Sequence, residues 1–206
     1  ATDTIAVAGT HGKTTVSTMT AHLLKQSAVD CSAFLGGISK NYSSNLITGS
    51  SRYTVMEADE YDRSFHRLKP LIAVVTAVDP DHLEVYGTHE SMIGAYNEFI
   101  QKIRQGGIII YNCRISGQIE IPHGVKAFSY GECPQADYRY SGIENKGDHY
   151  IFTLDTPAGT IDGIHFPFPG KINIENLTAA IAVAVNCGVS ESEIRKAAVL
   201  FQGVRR

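Results

Sequence analysis

The sequence lacks the features that mark a membrane, secreted or metal-cluster protein. No apolar run approaches the roughly 20 residues needed to cross a bilayer, and the N-terminus has no basic-then-apolar signal pattern. The few cysteines are widely scattered without a Cys-x-x-Cys pair, which argues against a zinc site and a disulfide framework. We therefore expect a cytoplasmic protein with free thiols and no membrane partner. The cysteines are Cys31, Cys113, Cys133 and Cys187.

Charge of one sign is also missing. The chain has 18 basic and 21 acidic residues, a net charge of -3, and no long charged block. Proteins that bind nucleic acid usually present a basic patch, so we predict no nucleic-acid partner and favour a small soluble ligand. With 206 residues, of which 43% are hydrophobic, the chain can bury the core of one large domain or two small ones.

Hydrophobic periodicity predicts an α/β fold. Several near-continuous apolar runs are typical of strands in a parallel sheet that is covered on both faces, and runs with helical spacing lie between them. From about 136 to 168 the pattern changes to short alternating segments separated by turn residues, which indicates antiparallel hairpins. We predict a mostly parallel, phosphate-loop-type sheet flanked by helices, with a small antiparallel subregion at 136–168. Strands are predicted at Thr4–Ala8, Ser32–Leu35, Tyr53–Asp59, Leu71–Asp79, Gly106–Asn112 and Val125–Gly131, helices at Lys13–Lys25, His89–Arg104, Ile174–Cys187 and Ser190–Phe201, and a loop at 39–51.

The stretch VAGTHGKTT, from Val7 to Thr15, follows the first predicted strand and opens the first predicted helix. A glycine-bounded loop in this position directs backbone N–H groups and the positive end of a helix dipole at one spot, which favours a phosphate. Lys13 would add a cation for the β and γ phosphates, and the Thr14 hydroxyl can bind Mg²⁺. The first glycine of the usual pattern is replaced by Val7. The alternative is a glycine turn that caps an ordinary helix.

Acidic residues follow the next two strands. The segment EADEYD places four carboxylates at a strand end, where they would repel one another unless a cation or a basic loop lies nearby, so a divalent metal facing the phosphate loop is predicted. Glu57 is the best candidate ligand, because it is nearest the apolar run. The alternative is a solvated loop before a helix. The four are Glu57, Asp59, Glu60 and Asp62.

The segment DPDHLEVYG follows the next strand, at the edge where open α/β sheets bind ligands. It contains Asp79, Asp81 and His82. For His82, the sequence favours a metal-binding or substrate-binding role and a purely structural role equally. Near the C-terminus, Asn173 stands at a helix start, where an N-cap is its default role. These residues support a nucleotide-dependent phosphoryl-transfer or ligase domain. A kinase and a non-catalytic nucleotide switch stay open, whereas a GTPase is disfavoured because no Asn-Lys-x-Asp guanine reader is present.

Taken in order, GTHGKTT, EADEYDRSF, DPDHLEVYG, GKINIENLTAA and FQGV resemble the central ATP-binding domain of the Mur ligases, which build the peptide of peptidoglycan. The resemblance spans nearly the whole chain, and the family loop also lacks a glycine at the place of Val7. Within the family the chain looks most similar to the member that joins L-alanine to UDP-N-acetylmuramate. The alternative is the recycling member, which attaches a whole murein tripeptide.

The resemblance implies ATP and Mg²⁺ as cofactors, and it implies roles for individual residues. Lys13, Glu57 and His82 would be catalytic; Thr14 and Glu57 would bind one Mg²⁺, and His82 would help to bind a second. Gly36, Gly37 and His82 would border the muramyl substrate. The implied ATP-binding residues are Gly9, Thr10, His11, Gly12, Lys13, Thr14, Thr15, Asn173 and Asn176.

The resemblance also implies that residues 1–206 are one excised central domain, with UDP-binding and amino-acid-binding domains outside it, and that this piece alone does not ligate. Two departures from the family are expected. Asn97 lies near the place where several relatives carry a carbamylated lysine, so none is predicted. The family arginine after FxG is expected just beyond Arg206.

Overall fold

A computed structural model describes residues 2–61, 64–81 and 83–205. The strands are β1 (Asp3–Ala8), β2 (Ser32–Ser39), β3 (Ser44–Ile47), β4 (Tyr53–Glu57), β5 (Ile72–Val75), β6 (Ile108–Asn112), β7 (Lys126–Gly131), β8 (Tyr138–Asn145), β9 (Tyr150–Thr156), β10 (Gly159–Phe166) and β11 (Val204–Arg205). The helices are α1 (Lys13–Lys25), α2 (Leu83–Tyr86), α3 (His89–Ile100), α4 (Lys171–Asn186) and α5 (Glu191–Leu200). Short 3-10 turns cover Ser64–Arg67 and Cys113–Ile115. Among the helices within these ranges, none is long and apolar enough to cross a membrane.

In the described residues, all eleven strands belong to one sheet, in the order β10-β9-β8-β7-β6-β5-β1-β4-β2-β11, with β3 paired to β2. Its centre is parallel, from β2 through β4, β1, β5 and β6 to β7 and the start of β8. The strands β9 and β10 continue it antiparallel. The predicted fold class is therefore confirmed, and the antiparallel hairpins extend the same sheet.

Both faces of the parallel centre of the sheet are covered, as the unalternating apolar strands predicted. Along β1, Ile5 and Val7 contribute to one buried cluster, with α1, α4 and α5. Ala6 and Ala8 contribute to a second cluster, which includes Phe99 of α3. Successive side chains of a strand point to opposite faces, which is why neighbouring residues serve two cores.

The predicted elements begin close to where the structure has them, but several predicted ends were wrong: β2 ends at Ser39 rather than Leu35, β5 at Val75 rather than Asp79, and α3 at Ile100 rather than Arg104. Helix α1 has the predicted bounds, and α5 begins with the capping box of Ser190 and Glu193. The prediction of one loop over 39–51 was wrong, because β3 forms there and pairs with β2. Helix α2 and strand β11 were not predicted from the sequence, and β11 pairs with β2 although it is only two residues long.

The prediction of four free cysteines was wrong for two of them. Cys113 and Cys133 form a disulfide with a Cα–Cα distance of 6.2 Å. Cys31 is buried and Cys187 is half-buried, and both are free thiols. Burial raises the pKa of each free thiol to about 12. Spacing alone gave no sign of the disulfide, since the two cysteines are 20 residues apart and meet only because β6 and β7 are neighbours.

Reduction of the Cys113–Cys133 bond is expected to lower the free energy of unfolding by about 3 kcal/mol, because it frees a closed loop in the unfolded chain. Guanidinium unfolding with and without dithiothreitol measures this difference. Cys113→Ser should unfold at the lower concentration under both conditions, and Cys187→Ser should keep the response to the reductant. An unfolding midpoint of the native sequence that ignores dithiothreitol would contradict the expectation.

His22, on the buried side of α1, is 1% exposed and joins three segments. Its Nε2 donates a hydrogen bond to Ala197 O of α5 at 2.8 Å, and its Nδ1 lies 3.4 Å from the Tyr42 hydroxyl. Burial lowers the pKa of His22 below 6.5, because the charged imidazolium would lose its hydration.

The low pKa of His22 predicts a loss of stability in acid. The unfolded chain binds a proton near pH 6.5, and the folded chain does so only at lower pH, so the free energy of unfolding should fall as the pH drops below about 6.5. Denaturant unfolding between pH 7.5 and 5 measures the slope. His22→Gln should flatten it, whereas His123→Gln, at an exposed position, should leave it unchanged. Equal slopes for all three proteins would refute the assignment.

Candidate functional site

The carboxyl ends of the three central strands meet at one edge of the sheet. In the parallel register Val7 of β1 pairs with Glu57 of β4, and Ala8 pairs with Val75 of β5. The loop from Gly9 to Gly12 therefore leaves the sheet beside Glu57 and Thr76. Open α/β sheets bind their ligands at such an edge, where neighbouring connections diverge.

The loop between β1 and α1 is held by the segment that follows β5. The Thr10 amide donates a hydrogen bond to Ala77 O at 3.0 Å, and the Thr76 hydroxyl donates one to His11 O. Gly9 has φ = 131° and Gly12 has φ = 86°, both in the region that favours glycine. The loop thus has one enforced shape, and its amides stand at the positive end of the α1 dipole.

Lys13, the first residue of α1, turns back over this loop. Its Nζ donates hydrogen bonds to Gly9 O at 2.9 Å and to Glu60 Oε1 at 2.7 Å. The Lys13 side chain is 13% exposed and that of Glu60 is fully buried. The ammonium therefore has a defined position beside the loop amides, as an anion-binding loop requires.

Glu57 connects the segment of Thr14, which was predicted to bind Mg²⁺, with the segment of Gly36, which was predicted to border the substrate. Its Oε1 accepts a hydrogen bond from the Thr14 hydroxyl at 3.0 Å, and its Oε2 accepts one from the Gly36 amide at 3.0 Å. A Cβ on Gly36 would lie 2.3 Å from Glu57 Oε2, so only glycine allows this approach. Gly37 is also confined, though less tightly, because a Cβ there would lie 2.8 Å from Val204 Cγ2 of β11.

The pair of Thr14 and Glu57 fits a hard divalent cation. Both offer oxygen atoms, the ligand type that Mg²⁺ prefers, and both line the cavity beside the phosphate loop. Within the described ranges no group of three His, Cys, Asp or Glu side chains converges. A cation here would therefore take few protein ligands and keep waters or phosphate oxygens, as Mg²⁺ commonly does.

Two adjoining cavities lie on either side of the loop and share His11 and Gly12. One, of about 520 Å³, lies beside Glu57 and is called the Glu57-side cavity, and the other, of about 350 Å³, leads towards α4 and the ends of β6 and β7. The Glu57-side cavity is lined by Thr10, His11, Gly12, Lys13, Thr14, Glu57, Asp59 and Tyr61. The second is lined by His11, Gly12, Thr15, Thr76, Ala77, Asp79, Asn112, Arg114, Tyr130, Ile172, Asn173, Glu175 and Asn176.

Both predicted asparagines line the second cavity. Asn176 is buried beside the loop, since a Cβ on Gly12 would lie 2.9 Å from Asn176 Oδ1. The prediction of an N-cap role for Asn173 was wrong: α4 begins at Lys171 with Gly170 as its N-cap. The Asn173 side chain instead donates a hydrogen bond back to Pro169 O at 2.7 Å.

A polar cluster that no sequence motif indicated lies at the far end of the second cavity. Glu175 is 4% exposed, and its Oε1 accepts a hydrogen bond from Asn112 Nδ2 at 2.6 Å. Arg114 Nη1 lies 3.2 Å from the same oxygen, and Arg114 Nη2 also contacts Glu132. Hydrogen bonds from Lys171 and Arg114 lower the pKa of Glu132. Only the pairing of β6 with β7 and the packing of α4 bring these residues together, so no local motif announced them.

Among the residues that the structure describes, the other predicted acids form no group of three that could hold a metal ion. Asp59 is exposed at the Glu57-side cavity, and Glu60 is buried against Lys13. Asp79 Oδ2 lies 4.0 Å from His11 Nε2, and both side chains are about two-thirds exposed. Two predicted residues, Asp62 and His82, lie outside the described residues, as does Arg206.

Asn97 faces away from the site, towards a surface loop. Its Nδ2 donates a hydrogen bond to Gln118 O at 3.2 Å, and its Oδ1 accepts one from the Glu120 amide at 2.8 Å. The Asn97 side chain therefore fastens the loop that follows β6 to α3.

The central parallel sheet, the strand-loop-helix with Lys13 and Thr14, and the carboxylate on the neighbouring strand define an α/β domain with a candidate anion-binding loop at the sheet edge. Comparison with known families identifies the particular family. Residues 7–184 match the model of the Mur ligase middle domain, and the chain belongs to this family. The predicted resemblance is therefore confirmed.

Curated relatives are similar to nearly the whole of this chain. UDP-N-acetylmuramate--L-alanine ligase from Phocaeicola vulgatus is 47% identical over 203 residues, which cover 98% of this chain and 44% of that protein. The ligase of the same name from Porphyromonas gingivalis is 45% identical over 204 residues, covering 98% and 45%. The chain thus spans less than half the length of the curated relatives it matches.

Solved structures share the fold. The UDP-N-acetylmuramate-alanine ligase from Thermotoga maritima superposes with a TM-score of 0.83 at 24% identity, over 100% of this chain and 46% of that one. The ligase for L-alanyl-gamma-D-glutamyl-meso-diaminopimelate from Neisseria meningitides superposes with a TM-score of 0.88 at 23% identity, over 100% and 68%. At these identities the likeness concerns the fold alone.

Proposed function

We propose that this chain is the ATP-binding middle domain of a ligase that joins L-alanine to the lactyl carboxylate of UDP-N-acetylmuramate, in peptidoglycan biosynthesis. One observation carries the proposal: Lys13, Thr14 and Glu57 stand together at the carboxyl edge of the sheet, with the Gly36 amide on the second oxygen of Glu57. The relatives of that name, up to 47% identical across this chain, support the choice of acceptor.

The two cavities support an extended nucleotide with its phosphates over the loop. The base would enter the cavity lined by Asn173 and Asn176, and the β and γ phosphates would lie at the loop amides and Lys13. The substrate carboxylate would approach from the Gly36 and Gly37 side. In-line attack on the γ-phosphate yields ADP and an acyl phosphate; the alanine amine then displaces phosphate and forms the amide.

In that reaction the protein acts mostly through position and charge. Lys13 neutralises charge that builds up on the transferring phosphoryl group, and the loop amides hold the neighbouring oxygens. Thr14 and Glu57 would hold a Mg²⁺ ion, which supplies further neutralisation of the phosphate charge when it is bound. His82 remains the proposed ligand of a second ion.

We also propose that the substrates bind mainly through UDP-binding and amino-acid-binding domains beyond this chain, so that residues 1–206 alone bind ATP without ligating. A cytoplasmic location suits a nucleotide-dependent enzyme without a membrane or nucleic-acid partner. The Cys113–Cys133 bond is the one observation that does not support it, since disulfides are rare in that compartment.

An acceptor screen tests the function. A longer protein that carries this chain with its flanking domains is given ATP, Mg²⁺ and UDP-N-acetylmuramate, and phosphate release is followed with single amino acids and with murein tripeptide. Release that depends on L-alanine is the expected result. Release with the tripeptide alone would assign the recycling reaction instead, and ATP binding without any acceptor-dependent release would favour a nucleotide switch.

A further inference from the structure

The burial of Glu60 is not expected from its neighbours in the sequence. It belongs to the acidic segment after β4, yet its side chain is 0% exposed and contributes nothing to the lining of either cavity. Its Oε1 accepts the 2.7 Å hydrogen bond from Lys13 Nζ. The main chain of Glu60 is anchored as well, because the Tyr86 hydroxyl of α2 donates a hydrogen bond to Glu60 O.

The contact has a geometric consequence for Lys13. A lysine ammonium has three N–H donors on a flexible four-carbon stem. In the described structure, one donor is directed at Gly9 O and a second at Glu60 Oε1. The two acceptors fix the orientation of the ammonium group, and they leave its third donor for a phosphate oxygen over the loop.

The contact also has an electrostatic consequence. Lys13 is the first residue of α1 and lies beside the N–H groups of the loop, so its cation stands at the positive end of the helix dipole. A buried carboxylate at 2.7 Å offsets this unfavourable placement before any phosphate arrives. Glu60 therefore keeps the loop and its lysine in the binding geometry in the absence of nucleotide.

We propose that Glu60 is a positioning residue that aims the Lys13 ammonium at the β and γ phosphates. The inference rests on the proposed function only in taking a nucleoside triphosphate as the ligand. The proposed role of Glu60 differs from that of Glu57, which lies three residues earlier and faces the cavity and Thr14. Both carboxylates then act on the same phosphates by different routes. Glu60 orients the Lys13 ammonium, and Glu57 holds the Mg²⁺ ion of the proposed complex.

Calorimetric titration with ATP and with AMP tests the role of Glu60, because Lys13 faces only the outer phosphates. In Glu60→Met, which accepts no strong hydrogen bond, we expect ATP to bind about tenfold more weakly, while AMP binds as before and shows that the site is folded. Glu60→Gln can still accept the bond from Lys13, and its ATP affinity should stay within about threefold of the native value.

A double variant isolates the coupling to Lys13. In Lys13→Met, the further change Glu60→Met should weaken ATP binding no more, because the group that Glu60 orients is gone. Native-like or tighter ATP binding by Glu60→Met would overturn the inference, as would equal loss in the glutamine variant or an additional loss in the double variant. Those results leave the proposed function standing, whereas a native chain that binds no ATP would overturn both.

Discussion

Lys13→Met is expected to reduce ATP turnover about a thousandfold in a protein that contains the complete ligase. Lys13 is the cation nearest the phosphates in the proposed complex, and loss of one preorganised charged donor at a transferring group costs about 4 kcal/mol of transition-state stabilisation. Because the effect falls on the phosphoryl-transfer step, kcat should decrease much more than KM for alanine changes. Steady-state phosphate release measures both constants.

The same substitution should also destabilise the fold. It removes the Lys13 ammonium that pairs with Glu60, whose side chain is fully buried, and breaking such a pair costs about 3 kcal/mol. Lys196→Met, which removes an exposed lysine of α5, is the matched control and should change neither turnover nor the unfolding midpoint. Turnover within tenfold of the native value in Lys13→Met would remove Lys13 from the proposed mechanism.

Gly9→Ala should abolish useful nucleotide binding, with an ATP affinity at least about a hundredfold weaker. Gly9 has φ = 131°, and a Cβ there would lie 2.1 Å from Thr76 Oγ1 and 2.9 Å from the Ala77 amide nitrogen. To relieve this clash, either the loop or the segment that follows β5 must move, and both form part of the candidate site. We expect the free energy of unfolding to fall by about 2–4 kcal/mol as well.

Gly94→Ala is the control for Gly9→Ala. Gly94 lies in α3, and a Cβ there would meet no atom within 4 Å. The substitution should raise the free energy of unfolding by about 0.5–1 kcal/mol through helix propensity, with ATP affinity unchanged. Calorimetry and denaturant unfolding of both variants give the comparison. A Gly9→Ala protein that binds ATP normally would show that the loop tolerates a different shape.

Much of the fold could be predicted from local pattern. The bounds of α1 follow from helical spacing after Gly12 and end where the apolar residues stop, and the capping box of Ser190 and Glu193 marks the start of α5. Strand β11 could not be predicted: two residues carry no periodicity, and they form a strand only because the edge of β2 offers backbone partners.

The candidate site was predictable in part, for similar reasons. The phosphate loop is contiguous in sequence, so its chemistry is visible without a fold. Glu175 looked like an ordinary helix residue, and it becomes part of the site through Asn112 and Arg114, more than 60 residues earlier. The Cys113–Cys133 bond could not be predicted for the same reason, because a contact between residues that are distant in sequence leaves no local pattern.

The sequence by itself determined the residues of the loop, the order of the longer strands and helices, and the family, because each depends on residues close together in the chain or on motifs in a fixed order. The tertiary structure decided how the acidic segment is used. Glu57 and Glu60 are three residues apart and similar in character, yet the sheet register directs one to Thr14 and Gly36, while the turn after β4 buries the other against Lys13. Burial and contact are properties of the assembled sheet edge, and no single segment contains them.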